Sequence, residues 1–167
     1  MSDKRQVEEK HFVEEVGIFF EQTGMPRMAG RILGWLMISN PPHQTTTELA
    51  EALLASKGSI STMTRLLIRI GIIERLSLPG QRRDHFRIKG GAWHQMLKDS
   101  LAQTTAFRQL IERGLELIED KAHFNRQWLE EMHSMYAFFE RELPALFELW
   151  EQEHNKKQDG SIVTRRG

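Results

Sequence analysis

The sequence predicts a mainly α-helical chain with one small two-stranded β-hairpin. Apolar residues recur at helical spacing through most of the 167 residues. Polar and apolar residues alternate over residues 85–89, which is the period of a half-buried strand. A charged turn with Pro-Gly at its centre, residues 77–84, joins this segment to a short apolar run at 72–76. The two segments therefore predict a hairpin with a basic tip.

The composition is that of an ordinary globular protein, with 40% hydrophobic and 28% charged residues. The absence of cysteine excludes a disulfide framework, a thiolate nucleophile and a zinc–thiolate site. The first residues are charged, and no run approaches the roughly 18 apolar residues of a membrane span. We therefore expect a soluble, cytoplasmic protein with no membrane partner.

The net charge of zero conceals an uneven distribution. Residues 41–100 contain nine basic and five acidic residues, whereas residues 101–154 contain five basic and eleven acidic residues. A basic middle and an acidic end predict two roles. The middle can face phosphates, while the end faces water or a partner chain.

The first two predicted helices cover residues 7–22 and the segment from Pro26 to Ile38. Proline suits a first helical turn, where its missing N–H removes no hydrogen bond. Gly30 and Gly34 lie four residues apart on the second helix. This spacing predicts a close approach between helices, and no preceding strand supports a phosphate-binding loop.

Capping residues then mark two shorter helices. A threonine at 45–47, with Glu48, predicts a capping box at the start of a short helix. Ser56 is the expected N-cap of the next helix, about 58–70, which Gly71 ends.

Two long helices are expected after the hairpin, over residues 92–121 and 122–154. Pro144 predicts a kink or a fresh helix start in the second of them. Their apolar stripes are too long to be covered by so small a domain, so we expect them to form a dimer interface. Residues 155–167 show no periodicity and are expected to be a flexible tail.

Helix, helix, short helix, turn, helix, strand, basic turn and strand is the element order of a winged helix-turn-helix. We therefore predict a DNA-binding domain over residues 24–91 and a dimerisation region over 92–154. The N-terminal helix, residues 1–23, would serve packing or the dimer.

The helix at 58–70 is the predicted recognition helix. Steps of about 100° per residue give it two different sides. The apolar side holds Ile60, Met63, Leu67, Ile70 and Gly71, and the other side holds Gly58, Thr62, Arg65 and Arg69. Hydroxyls can bind phosphates or bases, and arginine can bind guanine through two hydrogen bonds. The alternative is the exposed face of an ordinary helix.

The hairpin tip adds further basic residues. Arg82 and Arg83 lie in the turn, and Arg87 and Lys89 lie on the second strand. Such a wing can follow the phosphate backbone or insert an arginine into the minor groove. Lys57 is a further predicted phosphate contact. The alternative for the tip is a solvated turn.

Residues 48–89, from ELAEALLASKGSISTMTRLL to PGQRRDHFRIK, resemble the helix-turn-helix and wing of MarR-superfamily repressors. Together with GRILGWLMISNPP at 30–42, they resemble the GbsR branch. The resemblance implies a homodimer on an inverted repeat, control of compatible-solute genes, and choline-like effectors. It also implies DNA contacts by two sets of residues: Ser56, Lys57, Ser59, Thr62 and Arg65 in the recognition helix, and Arg82, Arg83 and Arg87 in the wing.

Nothing in the sequence predicts catalysis or a cofactor. The seven histidines include no i,i+4 pair, and no phosphate-binding loop or nucleophile motif is present, so we expect neither an enzyme nor a metal protein. Four aromatic residues could form a cage for a cationic effector, or they could be core or interface residues: Trp35, Trp93, Trp128 and Tyr136.

A winged helix can also act as a protein–protein adaptor without binding DNA. The zero net charge and the acidic C-terminal helices are compatible with this alternative. A steep salt dependence of DNA binding would separate the two functions, because each phosphate contact releases counterions.

Overall fold

A computed structural model describes the backbone of residues 2–118 and 126–163, with side chains for residues 4–118 and 126–155. The chain divides into two compact units, residues 1–96 and 97–167. The first unit combines helices with a small sheet, and the described part of the second is helical. The mainly α fold class is therefore confirmed, and the first helix belongs to the same unit as the predicted DNA-binding domain.

Helices α1 (Ser2–Gln22) and α2 (Arg27–Ile38) pack closely through glycines. A Cβ at Gly30 would lie 2.7 Å from the Val16 carbonyl oxygen, and one at Gly34 would lie 3.1 Å from Val16 Cβ. The predicted close approach of two helices is confirmed. Pro26 precedes α2 at its N-cap position.

We expect Gly30→Ala to lower the free energy of unfolding by up to about 2 kcal/mol. Forcing a methyl group against the α1 backbone costs about 1–3 kcal/mol, and the better helix propensity of alanine recovers about 1 kcal/mol. Urea denaturation followed by circular dichroism measures this loss. Gly58→Ala is the control, because its nearest atom would be 4.0 Å away. Equal stability of the two variants would contradict the close packing.

Helices α3 (Thr46–Ala52) and α4 (Lys57–Arg69) begin at the predicted caps. Thr45 and Glu48 form a capping box. The Glu48 amide donates to Thr45 Oγ1 at 3.2 Å, and the Thr45 amide donates to Glu48 Oε2 at 2.6 Å. Ser56 Oγ accepts from the Ser59 amide at 3.1 Å. Gly71 follows α4 with a φ of +79°, which suits glycine.

The capping box predicts a pH dependence of stability. Hydrogen bonds from the Thr45 amide and then its hydroxyl hold the pKa of Glu48 below its ordinary value of 4.5. A lowered folded-state pKa adds stability above the unfolded value, and this stability is lost as the pH falls through the folded value. We therefore expect the stability advantage of the wild type over Glu48→Gln to be greatest above about pH 5. This advantage should shrink as the pH falls below the ordinary value of 4.5. A pH-independent difference in urea midpoint would contradict this.

Three antiparallel strands form the sheet, where two are predicted. Strands β1 (Gln44–Thr45), β2 (Ile73–Leu76) and β3 (His85–Ile88) lie in the order β1-β3-β2. The third strand was not predicted from the sequence, because β1 is only two residues long and has no periodicity of its own. The β2–β3 hairpin itself is confirmed.

A single core holds the first unit together. Its fully buried apolar side chains come from α2, α3, α4 and β2: Ile32, Leu33, Leu49, Ile60, Leu67 and Ile73. Phe86 on β3 is also buried, so the wing is fixed to the same core as the helices. Helix α4 is thus held to the core by buried apolar side chains on its inner side.

The second unit contains most of α5 (Ala92–Leu117) and all of α6 (Arg126–Val163). One helix runs through Pro144 to Val163, so both a fresh start at Pro144 and a helix end at His154 were wrong. A proline removes only one backbone hydrogen bond from so long a helix, and Lys156, Lys157 and Gln158 shortly after His154 are good helix formers. The expected junction at 121–122 and the last four residues lie outside the described residues.

A polar cluster and a ring contact join α5 to α6. Arg108 donates to Glu140 on α6 and, at 3.1 Å, to Glu112 on its own helix. The hydrogen bond from Arg108 holds the pKa of Glu140 below its ordinary value. Phe107 and Tyr136 meet edge to face at 5.0 Å.

No helix within the described ranges is long and apolar enough to span a bilayer.

Candidate nucleic-acid interface

Helix α4 has the two sides that the sequence predicts. Ile60 and Leu67 are completely buried, whereas Thr62, Arg65 and Arg69 are exposed. Ile70, predicted for the apolar side, is 41% exposed because the helix has ended at Arg69. The exposed side is therefore presented on a backbone that the core holds in place.

The buried side of α4 also holds a hydroxyl that the sequence pattern does not identify. Thr64 is 1% exposed, and its Oγ1 donates to the Ile60 carbonyl oxygen at 2.9 Å. Because this hydroxyl is satisfied within the helix, a polar residue can occupy the core without an unpaired group.

The outer side of α4 carries basic groups without any acid. Its sequence, KGSISTMTRLLIR, contains three basic residues and no carboxylate. Near its start Ser56 and Lys57 are exposed and Ser59 is partly exposed, and Gly58 leaves open space above the first turn. Arg65 Nη2 lies 3.5 Å from Thr62 Oγ1, so these two side chains are neighbours one turn apart. A negatively charged surface could therefore approach this side of α4 closely.

The wing projects from the sheet beside α4. Gly80 takes a φ of +76° in the turn, and Arg82 and Arg83 beyond it are exposed. Buried His85 donates from Nδ1 to the Arg83 carbonyl oxygen at 3.1 Å, which fixes the base of the turn. The ring of His85 also meets that of His43 edge to face at 5.2 Å.

The basic residues on the two faces of the wing lie opposite different residues. Register pairs Glu74 with Arg87 and Arg75 with Phe86, so these pairs lie on opposite faces. Arg87, a predicted wing contact, donates to Glu74 at 2.7 Å on the outer face. Arg75, which is not among the predicted contacts, lies on the same face as the core residue Phe86.

A polar cleft of about 480 Å³ separates α4, the start of α3 and the wing. We call it the wing cleft. Arg65 and Arg83, predicted from different elements, line it together, and Arg75 joins them. Pairing the two strands of the predicted hairpin could have identified Arg75 from the sequence. The residues that line the wing cleft are Thr45, Thr46, Thr47, Ser61, Thr64, Arg65, Arg75, Arg83, Asp84 and Phe86.

The four predicted aromatic contacts are distributed over the two units. Half-buried Trp35 lines a cavity of about 340 Å³ between α1, α2 and the end of α3, and Trp93 is 41% exposed. Trp128 and Tyr136 belong to the second unit, where Tyr136 packs on Phe107.

Among the described residues, no group of three or more acidic or histidine side chains could hold a metal ion.

Two family profiles match the chain in adjacent stretches. Residues 23–84 match that of the MarR family, and residues 91–153 match that of the MmpR5-like MarR family transcriptional regulator. The first match covers the helix-turn-helix and most of the wing. The second covers all of α5 and the first part of α6.

Individual relatives agree with these profiles. The HTH-type transcriptional regulator MmpR5 of Mycobacterium tuberculosis is 39% identical over 129 residues, which cover 77% of this chain and 78% of that protein. The HTH-type transcriptional repressor OpcR of Bacillus subtilis is 32% identical over 81 residues, or 48% of this chain and 43% of that protein. A crystal structure of a transcriptional regulator superposes with a TM-score of 0.71 at 35% identity, covering 87% of this chain and 99% of that one. These relatives are regulators and not enzymes, as expected here.

Proposed function

The chain belongs to the MarR family of transcriptional regulators, and we propose that it binds double-stranded DNA through α4 and the wing. The observation that carries this proposal is the exposed side of α4, which is basic, free of acids and mounted on a buried apolar side. A helix of this kind fits the major groove, where side chains meet base edges.

The predicted contacts divide into two roles. Thr62, Arg65 and Arg69 on the exposed side of α4 would read bases, since arginine binds guanine O6 and N7 together. Ser56, Lys57 and Ser59 at the start of the helix would bind phosphates with the backbone amides there. Arg82, Arg83 and Arg87 would bind phosphates or the minor groove from the wing.

A homodimer on an inverted repeat is the assembly we propose. The helices of the second unit leave many large apolar side chains exposed, including Leu110, Leu117, Phe138 and Leu146. A second copy would cover them, and two recognition helices would then reach successive major grooves about 34 Å apart. Sedimentation equilibrium should give about twice the chain mass of 19.5 kDa.

Repression is the direction of control we propose, because OpcR of Bacillus subtilis is named a repressor. The resemblance to the GbsR branch supports compatible-solute genes as targets and a choline-like effector. Trp35 is a suitable aromatic contact for such a cation, and its cavity has three carboxylates (Glu9, Glu14 and Glu51) against two basic residues (Lys10 and Arg31). Such a regulator would act in the cytoplasm, where bacterial DNA lies.

Fluorescence anisotropy on the protein's own upstream DNA tests this function. We expect tight binding that weakens steeply with salt and that prefers the promoter duplex to a scrambled duplex. Choline or betaine should change the intrinsic tryptophan fluorescence and weaken DNA binding. No binding at low salt, with or without these ligands, would instead support the protein–protein adaptor.

A further inference from the structure

Arg75 is placed in the wing cleft by the register of the sheet. It faces Phe86 across β2 and β3, and it lines the cleft with Arg65 and Arg83. Three guanidinium groups from α4, β2 and the wing turn therefore border one polar space. Asp84 is the single carboxylate among the lining residues, so the cleft carries an excess of two positive charges.

Arg75 forms only a weak ion pair, with Asp84, in the free chain. Arg75 Nη1 lies 3.4 Å from Asp84 Oδ2, and the two side chains are 55% and 48% exposed. Exposed ion pairs of this kind contribute little to stability. A phosphate can therefore replace the carboxylate at small cost, and arginine binds a phosphate through two parallel hydrogen bonds.

We propose that Arg75 binds a DNA backbone phosphate in the wing cleft, and that Asp84 competes with the DNA for its guanidinium group. This inference rests on the proposed function. The threonine and serine hydroxyls of the cleft, Thr46, Thr47 and Ser61, supply further hydrogen bonds to phosphate oxygens. Asp84 would then weaken binding to every sequence equally, and thus keep non-specific binding low.

Salt titrations of Arg75→Ala and Asp84→Asn test this proposal, with the promoter duplex and the scrambled duplex side by side. Loss of one phosphate contact should reduce the slope of log K against log salt by about 0.9. Arg75→Ala should weaken both duplexes by the same factor. Asp84→Asn should tighten binding to both duplexes. This gain should be much smaller when Arg75 has already been replaced by alanine.

Glu21→Gln is the control, because it removes one carboxylate from an exposed ion pair with Arg27, which is not among the proposed DNA contacts. It should leave the affinity for both duplexes unchanged, and circular dichroism should show that all variants remain folded. An unchanged slope for Arg75→Ala, or weaker binding by folded Asp84→Asn, would overturn this inference alone. Absence of DNA binding by the wild-type protein would overturn the proposed function as well.

Discussion

Replacing Leu67 by alanine is expected to lower the free energy of unfolding by about 2–5 kcal/mol. Leu67 is completely buried on the inner side of α4, between residues of the same core. Truncation removes its apolar contacts and leaves a cavity that a packed core closes only in part. Urea denaturation followed by circular dichroism measures the change, and DNA binding should fall with the folded fraction.

Leu54→Ala is the control for this experiment. Leu54 precedes α4 in the same helix-turn-helix but is 87% exposed. Its truncation should change stability by no more than about 0.5 kcal/mol. If the two variants were equally stable, the inner side of α4 would not be the side that packs on the core, and the proposed DNA-binding side would be wrong.

Replacing Arg65 by alanine is expected to abolish most of the preference for the promoter over a scrambled duplex. If Arg65 binds guanine through two hydrogen bonds, its loss should cost about 1–3 kcal/mol of discrimination. The exposure of Arg65 and the absence of acidic residues from α4 leave its guanidinium group available to a base. Competition anisotropy with both duplexes measures the preference directly.

Arg82→Ala and Arg83→Ala provide the contrast to Arg65→Ala. These wing residues are expected to bind phosphates, so their loss should weaken both duplexes similarly and preserve the preference. An Arg65→Ala protein that bound both duplexes as wild type does would show that α4 reads bases with other side chains.

Features set by neighbours in the chain could be predicted from the sequence. The Thr45 capping box, the Ser56 cap and the two sides of α4 each depend on residues within one or two helical turns. A hydroxyl at an N-cap and apolar residues at helical spacing have the same effect in many folds. The local pattern therefore located α4 and its exposed residues.

Features that depend on distant residues could not be predicted in this way. Strand β1 forms only because β3 pairs with it, and two residues carry no periodic signal. Arg75 enters the wing cleft because of its register opposite Phe86, which only an explicit pairing of the two predicted strands would have placed. The helix continues beyond His154 to Val163 although this stretch has no apolar stripe. Neither long-range strand pairing nor a helix without an apolar stripe can be recognised from the period of apolar residues.

Thr45 belongs to two elements at once. It caps α3 through its hydroxyl, and it pairs with His85 at the base of the wing. Opening the wing at this point also releases the first turn of α3, so the two elements form one cooperative unit for local unfolding. Local unfolding of the wing should therefore extend to α3, and local unfolding of α3 should extend to the wing. A wing variant could lose DNA affinity because the helix-turn-helix has melted, even when the substituted side chain lies far from α4.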